Sequence, residues 1–303
     1  VCVYADLEEA LEKESLLVGI ACFQNDKNPD LCCRLAEGGV HILSEKPIGI
    51  SSTEVTRVLE ACQQAEVRLG VMYQNRYHPI TQDARNLVQK GVIGKITACE
   101  ARMVTSQVKF RNPEHWLFDK EKSGGGILSW LGCHYIDLLC YVTGDDIVAV
   151  SALVDTLSGE SIDVEDVASV SFRFQSGALG SLQAGYQLAM SKSGYIGPNY
   201  DSYIAFRGTA GRIFWNPSGK EHLLYVESAH PDWAGAPQRT QTYNLPEIDA
   251  YGGAYGVAFL EDFLDAALGN GTAPATGEDA LKVAHIVEAA YASSQSGTRV
   301  NLR

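Results

Sequence analysis

Leu16 to Tyr73 reads LLVGIACFQNDKNPDLCCRLAEGGVHILSEKPIGISSTEVTRVLEACQQAEVRLGVMY, and its alternation decides the fold. Leu16–Cys22 is a continuous apolar run, the pattern of a strand buried on both faces. Pro29 suits the first position of a helix running to Ala36 and stopping at Gly38-Gly39. Val40–Ser44 is a second short apolar strand. Ser51 and Glu54 have the spacing of a capping box before Val55, Val58, Leu59 and Cys62. Arg68–Tyr73 is a further strand. Upstream, Val1–Tyr4 reads as a short strand, and Asp6 caps a helix that carries Leu7, Ala10 and Leu11 through Ser15. Alternation of this kind predicts a parallel α/β sheet. Such sheets bind ligands beyond the carboxyl ends of their strands, here FQND, EKP and QNRYHP.

From Pro79 the pattern changes. A helix over Ile80–Lys90 closes at Gly91. Alternating segments then predict strands at Lys95–Val104, Asp146–Thr156, Glu165–Phe174, Ala178–Gln187, Asp201–Phe206, Gly211–Trp215, Leu223–Glu227 and Gln241–Asn244. Short turns such as Gln175-Ser176-Gly177 argue a mainly antiparallel sheet. Helices over Ala254–Leu268 and Gly277–Ser296 and a short strand at Thr298–Leu302 complete it. The expected architecture is a parallel α/β domain over residues 1–78, then an α+β domain over 79–303 with a large antiparallel sheet. Ser191–Asn199 and Ser228–Arg239, rich in Gly, Pro and polar residues, are the expected mobile insertions.

Composition narrows the class. The chain has 303 residues, 46% hydrophobic and 20% charged, as in globular proteins. A net charge of −13 argues against nucleic acid or an anionic membrane as the main partner. No apolar run reaches the ~18 residues of a membrane span, and no signal-peptide pattern is visible. The eight cysteines form no C-x-x-C and no metal-ligand spacing, which reads as reduced thiols in a cytoplasm and no zinc site.

Chemistry concentrates in three places. Lys122–Gly144, KSGGGILSWLGCHYIDLLCYVTG, opens on Gly124–Gly126 and continues with apolar residues at helical spacing until Gly144. On its apolar face sit His134 and, one turn earlier, Trp130; Asp137 shares roughly that side. His134 is either a proton carrier or a satisfied core histidine. Glu45-Lys46-Pro47 follows a strand directly, so Lys46 can be aimed from a strand end at a developing negative charge. Gln74-Asn75-Arg76-Tyr77 offers donors and acceptors suited to a polyhydroxylated ligand; alternatively Arg76 pairs with an acid inside an interdomain linker.

The ordered set AEGGVHILSEKPIGISSTEVTRVLEAC, VMYQNRYHPITQDARNLVQKGVIGKI, SGGGILSWLGCHYIDLL, FRGTAGRIFW and AFLEDFLDAALGNGTAPATGEDALKVAHIVEAAYASSQSGTRVNL resembles the glucose–fructose oxidoreductase/inositol dehydrogenase/rhizopine catabolism (Gfo/Idh/MocA) family over essentially the whole chain. The resemblance implies a Rossmann-type first domain and NAD- or NADP-dependent oxidation or reduction at a hydroxyl-bearing carbon of a sugar, cyclitol or related polyol. It implies Lys46 near nicotinamide and substrate, and His134 as general base. Phe23, Gln24, Glu45 and Lys46 would line the cofactor side, and Asn75, Arg76, Trp130 and His134 the substrate side. It also implies a homo-oligomer built through the C-terminal sheet.

Two departures from the family pattern stand out. Trp130 occupies the aspartate position of the D-x-x-x-H motif, so it either stacks on a sugar ring or belongs to the core. No G-x-G-x-x-G occurs near the start, and Val1 corresponds to a point after the first βαβ unit. The expectation is a partial Rossmann-type domain, a truncated fragment, with apolar faces left exposed. The competing reading is a non-catalytic sugar- or dinucleotide-sensing protein on the same fold, or an inactive fragment.

Overall fold

The computed structural model describes residues 2–189 and 200–302. Ser191–Asn199 therefore lies outside the described residues. The first unit alternates α1 (Leu7–Lys13), β1 (Val18–Ala21), α2 (Asn28–Glu37), β2 (His41–Ser44), α3 (Ser52–Gln64) and β3 (Leu69–Val71). The three strands form a parallel sheet in the order β1-β2-β3. Caps follow the sequence signals. Asp6 accepts from the Glu9 N–H at 2.8 Å, and Pro29 lies in the first turn of α2. Ser51 accepts from Glu54 N–H at 3.3 Å, but Glu54 turns its own carboxylate to Ile50 N–H, so only half of the capping box forms.

Two expectations fail at this edge. Cys2–Tyr4 forms no strand. Leu16–Cys22 shortens to Val18–Ala21 and is not covered on both faces: Ile20 is 56% and Leu17 45% exposed. The reason is its place in the sheet, since β1 pairs with β2 alone.

After α4 (Pro79–Gln89) come β4 (Ile96–Ser106), the single turn α5 (Lys120–Ser123), a π-helical segment Leu128–Gly132, and α6 (Cys133–Thr143). Then follow β5 (Ile147–Asp155), β6 (Val167–Phe174), β7 (Leu179–Leu188), β8 (Asp201–Gly208), β9 (Gly211–Trp215), β10 (Leu223–Ser228), β11 (Gln238–Thr242), α7 (Gly253–Ala267), α8 (Gly277–Ser296) and β12 (Val300–Asn301). The sheet order is β11-β10-β9-β8-β4-β7-β6-β5-β12. Every neighbouring pair is antiparallel except β4 with β7. Ser228–Arg239 is not a loose insertion. Trp233 in it is buried, Arg239 lies 3.7 Å from the Trp233 ring centroid, and β11 begins at Gln238.

One helix joins the two sheets. α8 packs on α3 and β3 at one side and on β5 at the other. Its capping residue Thr276 bridges Gly70 of β3, and Val71 N–H donates to the Ala275 carbonyl at 3.0 Å. Ser293 and Ser294 accept from the Ala152 and Val154 N–H groups of β5 at 3.0 and 2.9 Å. Among the described residues no helix is long and apolar enough to cross a membrane.

Candidate active site

Lys46 leaves the carboxyl end of β2, where Ser44 and Ile42 are fully buried. Its own residue is only 5% exposed. The Lys46–Pro47 peptide bond is cis. The ammonium donates to the Trp130 carbonyl at 2.7 Å and stands 4.0 Å from the Trp130 ring centroid. Trp130 lies in the π-helical segment, where the regular i→i+4 ladder is interrupted, and its carbonyl also accepts from Cys133 Sγ at 3.4 Å.

That segment is held from below. The Glu165 carboxylate accepts from Gly126 N–H at 2.7 Å, Leu128 N–H at 2.9 Å and the Tyr291 hydroxyl at 2.9 Å. Burial pushes its carboxyl above the ordinary value, and the Gly126 N–H is the strongest of the bonds that oppose this. Gly126 is obligatory because a Cβ there would lie 1.9 Å from the Glu165 carbonyl oxygen. Gly124 turns the chain at φ +79° against Ile50, placing the three-glycine run under the strand ends. The loop after β1 is tied to the same turn, with Asn25 Nδ2 on the Ser123 carbonyl at 2.9 Å and Asp26 N–H on the Lys122 carbonyl at 3.1 Å.

His134 follows at the start of α6, 8% exposed, with Tyr73 edge-on at 5.8 Å between centroids. Its Nδ1 is sealed from solvent and has no hydrogen-bond partner among the described residues. Burial, and after it the Lys46 charge, hold the imidazole well below its usual value, so it is neutral at physiological pH.

The other sequence candidates divide. Glu45 is half-buried and accepts from the Lys46 N–H at 3.1 Å; burial and then the Glu45 charge push the Tyr251 hydroxyl up to about 12. Phe23 is 54% exposed, and half-buried Gln24 gives its carbonyl to the Lys27 and Asn28 N–H groups. Asn75 is half-buried in the short turn after β3. Arg76 is placed as the linker alternative expects. Its guanidinium pairs with Asp137 through Nε and Nη2, and with Asp279 through Nη1 at 3.0 Å. Asp137 thus serves Arg76 rather than His134. Glu165, Tyr291 and Tyr251 were not singled out from sequence. The one available signal was Glu165-Asp166, two acids standing directly before an alternating strand.

The chain meets the site with known relatives behind it. Residues 1–73 match the family model described as "Oxidoreductase family, NAD-binding Rossmann fold", and residues 81–214 match "GFO/IDH/MocA C-terminal domain". The myo-inositol 2-dehydrogenase of Thermotoga maritima is 29% identical over 215 residues, covering 70% of this chain and 60% of that protein. The inositol 2-dehydrogenase of Rhizobium meliloti is 25% identical over 297 residues, covering 98% of this chain and 83% of that one. A levoglucosan dehydrogenase solved with NADH and levoglucosan superimposes with a TM-score of 0.87 at 23% identity, over 99% of this chain and 84% of its own. The sheet order, the parallel nucleotide-type unit and the two matching models agree: this chain belongs to the Gfo/Idh/MocA family of NAD-binding oxidoreductases.

Proposed function

We propose that the chain interconverts a hydroxyl and a keto group on a sugar, cyclitol or related polyol with NAD(H), and that Lys46 and His134 stand at the reacting carbon. Residues 1–78 would hold the dinucleotide, and 79–303 the substrate and the subunit contacts. The observation that carries this reading is a buried ammonium beside a buried neutral imidazole at the carboxyl end of a parallel strand.

Unpaired buried acceptors at the strand ends, Asp26 Oδ1, Asn28 Oδ1 and Gln74 Oε1, suit a ligand rich in hydroxyl and amide donors. These residues, with Phe23, Gln24 and Glu45, fit the nicotinamide–ribose end of a dinucleotide. When bound, the nicotinamide supplies the acceptor or donor of hydride at the substrate carbon. In the oxidising direction His134 takes the hydroxyl proton as the carbonyl forms. Its depressed basicity keeps it unprotonated and ready to do so. The Lys46 ammonium stabilises negative charge on that oxygen in the transition state. Asn75 and the Trp130 ring would bound the substrate.

A ligand-sensing protein on the same fold is the second reading, favoured by the indole of Trp130 over Lys46. Exposed Leu153 and Leu179 and the stacked Phe214–Tyr225 pair, 4.8 Å apart, favour the large sheet as the contact face of a homo-oligomer.

The test is calorimetric titration of NADH and NADPH into the 303-residue chain, then a turnover screen on polyols and keto-sugars. The reading expects saturable NADH binding and turnover. It expects His134→Ala to lower kcat/KM by roughly 10²–10⁴-fold, and the acid limb of wild-type kcat/KM to fall below pH ~6.5. Binding with no turnover on any substrate would establish the sensing alternative.

A further inference from the structure

Among the described residues the Lys46 ammonium has no carboxylate in direct contact with it. An ammonium has three N–H donors, and this one meets a single carbonyl and an aromatic face, both neutral. Among the described residues no carboxylate oxygen lies within ion-pair distance of it. Of the acids on the neighbouring elements, Asp26 has an unpaired buried oxygen but stands toward Lys122, and the others are held elsewhere. Glu45 accepts from the Lys46 backbone N–H. Asp137 and Asp279 serve Arg76. Glu165 serves the π-helical segment, and Glu288 holds Ser52 through its N–H and hydroxyl, each at 2.6 Å. Asp166 holds the Leu157 and Ser158 N–H groups. Residues 190–199 carry no Asp or Glu. His134 is neutral and adds nothing negative.

A buried cation without a counter-ion is costly, and a bound anion relieves it. Oxidised nicotinamide is itself a cation, so loading the site would raise the imbalance. The overall charge of −13 does not oppose this locally, because surface charges are screened beyond about 8 Å at physiological salt.

We propose that the substrate is a polyhydroxylated carboxylate, a sugar acid or a related hydroxy acid, whose carboxylate takes one of the two remaining Lys46 N–H donors while its reacting hydroxyl lies between the other and His134. This deepens the oxidoreductase reading and rests on it. Trp130 is then a specificity-determining residue. Its carbonyl holds the ammonium in place without neutralising it, where an acidic side chain would have spent the charge on the protein itself.

The experiment is a matched panel, D-glucuronate and D-gluconate against D-glucose and myo-inositol. Binding is read by calorimetry with the full chain, with and without NADH, and turnover is read separately with NAD⁺. The expected result is that an acid binds roughly tenfold or more tightly than its neutral counterpart. Lys46→Met should erase that ratio, and Trp130→Asp should narrow it. The wild-type panel decides alone if a variant fails to fold. Equal or tighter binding of the neutral compounds, with turnover on them, overturns the acid preference and leaves the oxidoreductase reading standing. No binding and no turnover on either class overturns both.

Discussion

Replacing Arg76 by Met tests the buried knot behind the active site. The Arg76 side chain is 8% exposed and that of Asp137 3%, whereas Asp279 is 29% exposed. Removing the guanidinium strands Asp137 in the interior, and an uncompensated buried charge costs about 3–5 kcal/mol. Asp279 keeps the Thr276 N–H at 2.9 Å and some solvent, so its loss adds about 1 kcal/mol or less. Arg76→Met should therefore destabilise by about 4–5 kcal/mol, much of the ~5–15 kcal/mol available to a typical fold. Asp137→Asn leaves Arg76 paired with Asp279 and the Pro274 carbonyl, and should cost less, about 2–3 kcal/mol. The double variant Arg76→Met/Asp137→Leu contains no stranded charge and should be more stable than Arg76→Met alone. Urea midpoints, read with the slope of each transition, measure all three. A cost below about 1 kcal/mol for Arg76→Met, or a double variant less stable than the single one, would refute the assignment of this network as the structural lock between the turn after β3, α6 and α8.

Two further stability predictions follow from single sites. His78 is held at about 4 by burial and then by His222, against ~6.5 when unfolded. Between those values the unfolded chain binds a proton that the native chain does not, so stability falls with falling pH, by up to about 1.4 kcal/mol per unit for this group. His78→Asn, which can still cap α4, should flatten the slope of urea stability between pH 6.5 and 4. Gly126→Ala drives a methyl into the Glu165 carbonyl, a backbone atom that cannot step aside, and should cost at least about 3 kcal/mol by urea unfolding. Gly235→Ala, where a Cβ meets nothing, is the control and should change little.

Elements with strong punctuation were legible in the sequence. Thr276 and Gly297 bound α8 at the residues expected, and Gly91 closes α4 at φ +70°. These signals are local: a cap or a left-handed turn needs only its own few residues. Burial was less legible, because it depends on what lies across the sheet. Leu17 and Ile20 look like core by composition and are exposed because β1 has one neighbour. The site shows the same division. Lys46 and His134 were visible from strand-end and helix position, although their catalytic and binding roles await the experiments above. The partner of Asp137 was not visible, since an acid three residues after a histidine is close in sequence to one and in space to Arg76, 61 positions away. Glu165 was missed for the same reason, as its work lies 39 residues upstream at Gly126.

The position of α8 in the chain has a consequence for biosynthesis. It follows β3 and β5 in sequence, and it completes the hydrogen bonding of β5 through Ser293 and Ser294, while Ala275 just before it serves β3. While the ribosome is still short of residue 277, the faces of β3 and β5 have been made but have no lid. At ~5–20 residues per second, the ~120 residues from the end of β5 to the start of α8 keep those apolar faces open for several seconds, longer than most small domains take to fold. Closure of the two sheets onto each other is thus a late event that awaits one helix. A nascent chain arrested before it should be held by chaperones rather than resemble the finished protein.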